Sequence, residues 1–347
     1  MPTTNIHILG IESSCDDTGI AIVRGDKTIL SNIVYGQLEE QGPYQGVVPE
    51  IAARSHMKAL RAATDEALKH AGLELKDVDA IAATAGPGLI GGVIVGTMFA
   101  KSLSFALNKP YIAINHLEGH LLSPRLTSDL SFPYLMLLVS GGHCQFVAAL
   151  GLGDYKILGQ TMDDAVGEAF DKTAKLLNLG FPGGPIIEQL AKEGNHMKYT
   201  LPMPLAHRKG CDFSFSGLKT AVRDLVASTK DLDVNSLCAS FQYTVGKVLV
   251  ERTRNAIGMF EELSGSKNFA IAGGVAANKY LGAALKGELD KHGFKLHTPP
   301  MNLCTDNGAM IAWAGYERFI RGAVSNLDAC PVARWNLEGM QLNNISG

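Results

Sequence analysis

The 347-residue chain is predicted to be an α/β protein built as two related lobes. Three observations carry this: strand-like and helix-like segments alternate, one strand–turn–strand pattern occurs twice, and the length exceeds what one small core needs. The first copy runs from an apolar strand at 6–11 through Asp16, Asp17, Thr18 and Gly19 to a second strand at 20–23. The second copy runs from 134–139 through Ser140, Gly141, Gly142 and His143 to 145–147. Each reads as a hairpin with small or polar residues at its turn. The expected division is an N-terminal lobe at 1–131, a C-terminal lobe at 132–325 and a tail at 326–347, frayed beyond Asn336. The last helix is expected to pack where the lobes join.

The remaining elements follow in order. Met57, Leu60, Ala67, Leu68 and Ala71 recur near helical spacing and Gly72 stops the pattern, so 56–72 reads as a helix. Residues 78–84 read as a buried strand. The glycine-rich segment 86–92 opens a helix that continues to Leu107, and the apolar run 88–100 ends at Lys101, which suits a buried helix rather than a membrane span. Residues 115–122 begin an amphipathic helix. The second half offers a helix at 163–177, a Gly/Pro turn at 181–185, a loop-rich stretch at 194–217, and helices at 218–228 and 237–263. A strand at 268–272 ends in Gly273 and Gly274, and the last long helix starts near Asp306.

Bulk chemistry narrows the function. A formal net charge of −3 gives no global basic signal, so a nucleic acid would have to meet a local patch. Six cysteines without a C-x-x-C pair argue against a zinc ribbon or a disulfide framework. Met1 runs directly into a strand-like segment with no basic leader, and the chain reads as cytoplasmic, with no membrane partner.

The chemistry-bearing residues begin with His116 and His120. At about 100° per residue, positions four apart lie about 40° from each other around a helix, so the two imidazoles can share one metal ion. Two ligands leave the site unfinished, and a third must come from elsewhere in the chain. The two hairpin turns are candidate anion nests, and the Gly273-Gly274 turn between strand and helix is a candidate nucleotide contact. Alone, each is an ordinary structural feature; their order along one chain is the signal.

That order resembles the actin/Hsp70/sugar kinase-like (ASKHA) superfamily, whose two lobes flank a cleft. More narrowly, Glu12-Ser13-Ser14-Cys15-Asp16-Asp17-Thr18, Val48-Pro49-Glu50-Ile51-Ala52-Ala53-Arg54-Ser55-His56, Gly86-Pro87-Gly88-Leu89, His116-Leu117-Glu118-Gly119-His120, Leu138-Val139-Ser140-Gly141-Gly142-His143 and Phe213-Ser214-Phe215-Ser216-Gly217-Leu218-Lys219 resemble the bacterial TsaD family. The resemblance extends from about residue 6 to 323. It implies a threonylcarbamoyltransferase acting on tRNA. It also implies one divalent metal ion, Fe(2+) or alternatively zinc, on His116, His120 and Asp306. The substrate would be contacted by Leu138, Val139, Ser140, Gly141, Gly142, Asp171, Gly184, Glu188 and Asn278. The implied donor is threonylcarbamoyl-AMP, and the implied acceptor is the N6 amine of the adenosine 3′ of the anticodon in tRNAs reading codons that begin with A. A TsaB-like paralogous subunit and a TsaE-like ATPase are the implied partners.

Within that reading Glu12 and Asp16 are the candidate general bases, and no spacing argument separates them. Arg54, Lys58, Arg208, Lys209 and Lys219 are candidate tRNA contacts, and the apolar surface from Leu60 to Leu68 is a candidate partner interface or else core. Two other classes compete. A metallopeptidase needs H-E-x-x-H with the Glu next to the first His, whereas Glu118 stands two residues on, about 200° round the helix. A non-catalytic, Hsp70-like nucleotide switch would need neither imidazole, and the chain offers no separate peptide-binding domain.

Overall fold

The computed structural model describes residues 3–44 and 46–340. In chain order the elements begin with β1 (His7–Glu12), β2 (Thr18–Arg24), β3 (Ile29–Tyr35), α1 (Leu38–Gln41), α2 (Pro49–Ala71), β4 (Ala80–Gly86), α3 (Ile90–Leu107), β5 (Tyr111–Asn115) and α4 (His116–Thr127). They continue with β6 (Tyr134–Val139), β7 (Cys144–Gly151), β8 (Asp154–Gln160), α5 (Val166–Leu176), α6 (Gly183–Ala191), α7 (Ser216–Ser228) and α8 (Val234–Glu261). The last are β9 (Asn268–Ala272), α9 (Lys279–Lys291), β10 (Lys295–His297) and α10 (Gly308–Phe319).

The chain forms two compact units, one of residues 1–129, 151–155 and 306–347, the other of 130–150 and 156–305. Each has a five-stranded sheet, and the orders match: β3-β2-β1-β4-β5 and β8-β7-β6-β9-β10. In both, the first strand pairs antiparallel with its hairpin partner and parallel with the strand on its other side, β1 with β2 and β4, β6 with β7 and β9. The repeated hairpin is thus the start of a repeated sheet. β1, β4, β5, β6 and β9 are almost wholly buried, which is why they read as continuous apolar runs rather than alternating patterns.

Several expectations change. The division differs at the C-terminus: α10 belongs to the first unit, beside α4 and β1, and not to the unit that begins near residue 130. The tail is not frayed directly after Asn336, since Leu337 and Met340 are buried; positions 341–347 lie outside the described residues. α4 is not amphipathic: every residue from His116 to Leu126 is buried except Arg125, because α10 covers it. α3 is only partly buried, although it alone among the described helices is long and apolar enough to cross a membrane. Ile90, Ile94, Met98 and Phe105 are exposed along one side of it. By contrast Leu60 and Leu68 are core, packed with Ala63 and Ala67 against β1 and β2 residues.

Candidate metal centre and nucleotide pocket

In the first unit β5 hands the chain directly to α4. The side chain of Asn115 caps the helix, accepting from the Leu117 amide at 2.9 Å, and so fixes His116 as its first residue. One turn on, His120 brings its ring to 4.8 Å from that of His116, edge to face. Asp306 meets both: its Oδ1 lies 3.0 Å from His120 Nε2 and 3.5 Å from His116 Nε2. The three candidate ligand atoms fall within 4.8 Å of one another, so Asp306, two positions before α10, is placed where a third donor would be needed. This set suits a divalent transition metal: borderline imidazole nitrogens and one carboxylate, with coordination positions left over.

The first hairpin orients this group. Glu12 is wholly buried, and its carboxylate accepts from Thr84 Oγ1 at 2.5 Å and from the Ser14 amide at 2.6 Å. It stands 3.0 Å from His116 Nδ1, with Ser14 Oγ also at 3.0 Å. A carboxylate only accepts, so a proton on Nδ1 points to Glu12, and Nε2 is the ring atom that faces Asp306 and His120. Burial alone would raise Glu12; its attraction to His116 and its hydrogen bonds outweigh that and hold it below the usual carboxylate value. Burial opposes charge on His116, yet Glu12 and Asp306 push it up to about 9. Asp17 is pushed up to about 7 by burial, then by Asp16, Asp306 and Glu12. So much negative charge in one place favours a cation.

Glu12 is therefore corrected: saturated with donors and shut from solvent, it cannot act as a general base on a substrate. Asp16, in the same turn, is only half-buried. Glu118 also finds its role. Arg318 clamps it through Nε at 2.7 Å and Nη2 at 3.0 Å, and the Tyr155 hydroxyl donates to it at 2.9 Å. It ties α4 to α10 and is unavailable to a peptidase mechanism. Gly119 serves the same packing, since a Cβ there would stand 2.8 Å from Ile311 Cδ1.

The second unit holds a pocket of about 330 Å³, lined among others by Gly141, Asp171, Gly184, Glu188, Gly274 and Asn278. Five of the nine predicted substrate residues therefore gather there. Leu138 and Val139 do not; they are buried strand core. The Ser140 amide donates to the His143 carbonyl at 2.7 Å, while its Oγ accepts from the His143 amide, so Ser140 closes the turn rather than offering its N–H to an anion. Gly142 belongs to the exposed tip and does not line the pocket.

The rim is braced from within. Asp171 accepts from the Gly183 amide at 2.7 Å, and burial, then Glu168, raises it. Glu188 accepts from the Lys279 amide at 2.8 Å, and Asn278 accepts from the Leu281 amide at 3.0 Å while donating to Gln242. The helix expected straight after Gly273 starts only at Lys279, because a 3-10 turn at Gly274–Ala277 intervenes. Gly273 has φ +98°, and a Cβ on it would lie 2.2 Å from the Val139 carbonyl oxygen. Gly184 has no neighbour within 4 Å of such a Cβ; the bare backbone there faces space, not protein.

The sequence carried no signal for Gly167, Phe170 and Thr305 in this pocket, for Ser14 and Thr84 around Glu12 and His116, or for Tyr155 and Arg318 on Glu118. The Phe213 to Lys219 motif is a brace: Asp163 accepts from the hydroxyls of Ser214 and Ser216 and from the Phe215 amide, and Lys219 pairs with Asp164 at 3.1 Å. Lys219 is therefore committed internally. Arg54 pairs with Glu50, while Lys58, Arg208 and Lys209 are exposed.

The TsaD family, tRNA N6-adenosine threonylcarbamoyltransferase, matches residues 28–313. The chain belongs to the TsaD family. The Rickettsia bellii (strain OSU 85-389) tRNA N6-adenosine threonylcarbamoyltransferase is 57% identical over 336 residues, spanning 95% of this chain and 98% of that one. That of Rickettsia peacockii (strain Rustic) is 56% identical over 339 residues, 96% and 98% of the two chains. Among solved structures, T. kodakarensis HypF aligns with TM-score 0.58 at 16% identity, over 92% of this chain and 48% of its own. The activator of the 2-hydroxyisocaproyl-CoA dehydratase from Clostridium difficile aligns with TM-score 0.52 at 13% identity, over 92% and 99%. At such identities the structural likeness establishes the ASKHA-type α/β fold alone.

Proposed function

We propose that this TsaD-family enzyme transfers the threonylcarbamoyl group of threonylcarbamoyl-AMP to the N6 amine of the adenosine 3′ of the anticodon, in tRNAs reading codons that begin with A. The relatives' shared name, tRNA N6-adenosine threonylcarbamoyltransferase, supports the reaction class. The observation that carries the mechanism is the convergence of His116, His120 and Asp306.

In this reading the pocket of the second unit takes the AMP half, with Gly184 and Gly141 admitting it close to the backbone and Asp171, Glu188 and Asn278 at its rim. His116, His120 and Asp306 would hold one divalent ion, Fe(2+) in preference to zinc. When bound, that ion supplies Lewis-acid polarisation of a substrate oxygen. Glu12 keeps the His116 proton at Nδ1 and so keeps Nε2 a ligand. The N6 lone pair is delocalised into the adenine ring, so positioning and charge stabilisation carry most of the barrier reduction. Asp16 is the proposed acceptor of the proton the amine loses. The reaction takes place in the cytoplasm, without a membrane partner.

The exposed stripe Ile90, Ile94, Met98 and Phe105 on α3 is the proposed seat of the TsaB-like subunit, replacing the Leu60 to Leu68 surface, which is core. A TsaE-like ATPase completes the proposed assembly. The test is reconstitution with threonylcarbamoyl-AMP, tRNA and the partner proteins, reading modified nucleoside by mass spectrometry. His116→Ala should lower product formation at least about a hundredfold. Unchanged formation would remove the metal from the mechanism, and chelator-sensitive release of labelled peptides from casein would reinstate a peptidase.

A further inference from the structure

Next to the nucleotide pocket, still within the second unit, two cavities of about 250 and 490 Å³ adjoin one another. They share Tyr243 and Tyr280 in their walls, and the smaller shares Glu188 with the nucleotide pocket. A groove therefore leads from that pocket across the Glu188–Lys279 contact and between α6, α8 and α9.

Its lining alternates flat rings with cations. Tyr280 is 40% exposed, and its ring lies on Gly246 of α8, where a Cβ would come within 3.1 Å of Cε1. The glycine is what lets the ring lie against the helix. The His196 ring sits 4.5 Å from that of Tyr243, and Lys247 Nζ stands 5.6 Å from the Tyr243 centroid. Lys192 and Lys279 are exposed along the same wall.

The acids at the rim are committed elsewhere. Glu188 caps the Lys279 amide, and Glu251 accepts from Arg252 at 2.8 Å and from the His207 amide at 2.7 Å. The lining cations, Lys192, Lys247, Lys279 and Arg254, outnumber these two acids, so the groove carries net positive charge beside its aromatic faces. Such a lining matches unpaired nucleotides, whose bases stack while lysines meet phosphates. An acidic peptide would use the lysines but not the flat faces, and an apolar peptide the reverse. The net charge of −3 hides this patch, because it is local.

We propose that this groove binds a single-stranded segment of the tRNA substrate, with bases stacked on Tyr280 and on the Tyr243–His196 pair and phosphates on Lys192, Lys247 and Lys279. The inference rests on the reading that tRNA is the substrate, and the control separates the two. The experiment measures steady-state transfer and tRNA affinity, by fluorescence anisotropy across a salt series, for the full chain with its partner proteins. Tyr280→Ala should raise KM and Kd for tRNA about tenfold with kcat changed by less than about twofold, and Tyr280→Phe should restore both. Lys247→Ala should lower the slope of log K against log salt by about one. AMP affinity and thermal stability should stay at wild-type values in all three. Wild-type tRNA affinity in Tyr280→Ala and Lys247→Ala would overturn the groove while leaving the transferase reading intact. Failure of the wild type to bind or modify tRNA would overturn both.

Discussion

The two hairpin turns share a sequence grammar and a place in matching sheets, yet they do opposite things. The first, between β1 and β2, is packed: Glu12, Ser13 and Ser14 are buried, and each side chain is spent on a fixed partner, Ser14 and Glu12 on His116 and Ser13 on the Gly92 carbonyl. The second, between β6 and β7, is open: Gly141 and Gly142 are exposed, with nothing within 4 Å of where a Cβ would stand. A turn that orients a ligand set must be rigid and dry. One proposed to let a substrate approach, as at Gly141, must leave its backbone bare. The comparison teaches that a repeated supersecondary unit fixes where a site can arise, and burial decides which kind.

The largest expected effect comes from breaking the buried side of this comparison. His120→Ala or Asp306→Ala should abolish stoichiometric metal by elemental analysis and cut transfer at least about a hundredfold, with native circular dichroism retained. Next is the clamp that supports α4. Arg318→Ala leaves the Glu118 carboxylate buried without its cation and should cost about 3–5 kcal/mol in denaturant unfolding. Restoring charge balance with Glu118→Gln in the same chain should recover part of that loss.

On the open side, two glycines should part company. Gly273→Ala sets a Cβ against the Val139 carbonyl in a left-handed backbone and should destabilise by more than about 1 kcal/mol. Gly184→Ala meets no protein and lies in the first turn of α6, so stability should change by less than about 1 kcal/mol. Its AMP affinity should nonetheless fall in calorimetry, because the methyl group enters the pocket. Equal destabilisation by the two substitutions would erase the distinction between packing glycines and ligand-facing ones. The smallest effect belongs to Gly142→Ala at the exposed tip, which should be within about 0.5 kcal/mol of wild type and should leave AMP binding unchanged.

The repeated hairpin and the long helices were legible because hydrophobic period and turn residues are local signals. His116 and His120 were legible for the same reason. Asp306 entered only through the family resemblance, as no spacing joins it to residues 186 positions away. No spacing separates Glu12 from Asp16 as a base; tertiary packing of Thr84 and His116 around Glu12 makes it a positioning group. The Glu118–Arg318 clamp spans 200 residues and has no local signature at all. α3 was misread because apolar composition alone does not separate a core helix from one with an uncovered apolar side.

The central claim is that the buried side of the comparison is a metal centre on which transfer depends. It is tested most directly by measuring metal content and threonylcarbamoyl transfer on the same anaerobic preparations of wild type and Asp306→Asn. The account predicts one divalent ion per chain with full transfer in the wild type, and neither in the variant. An Asp306→Asn protein that carries no metal yet modifies tRNA at the wild-type rate would contradict it.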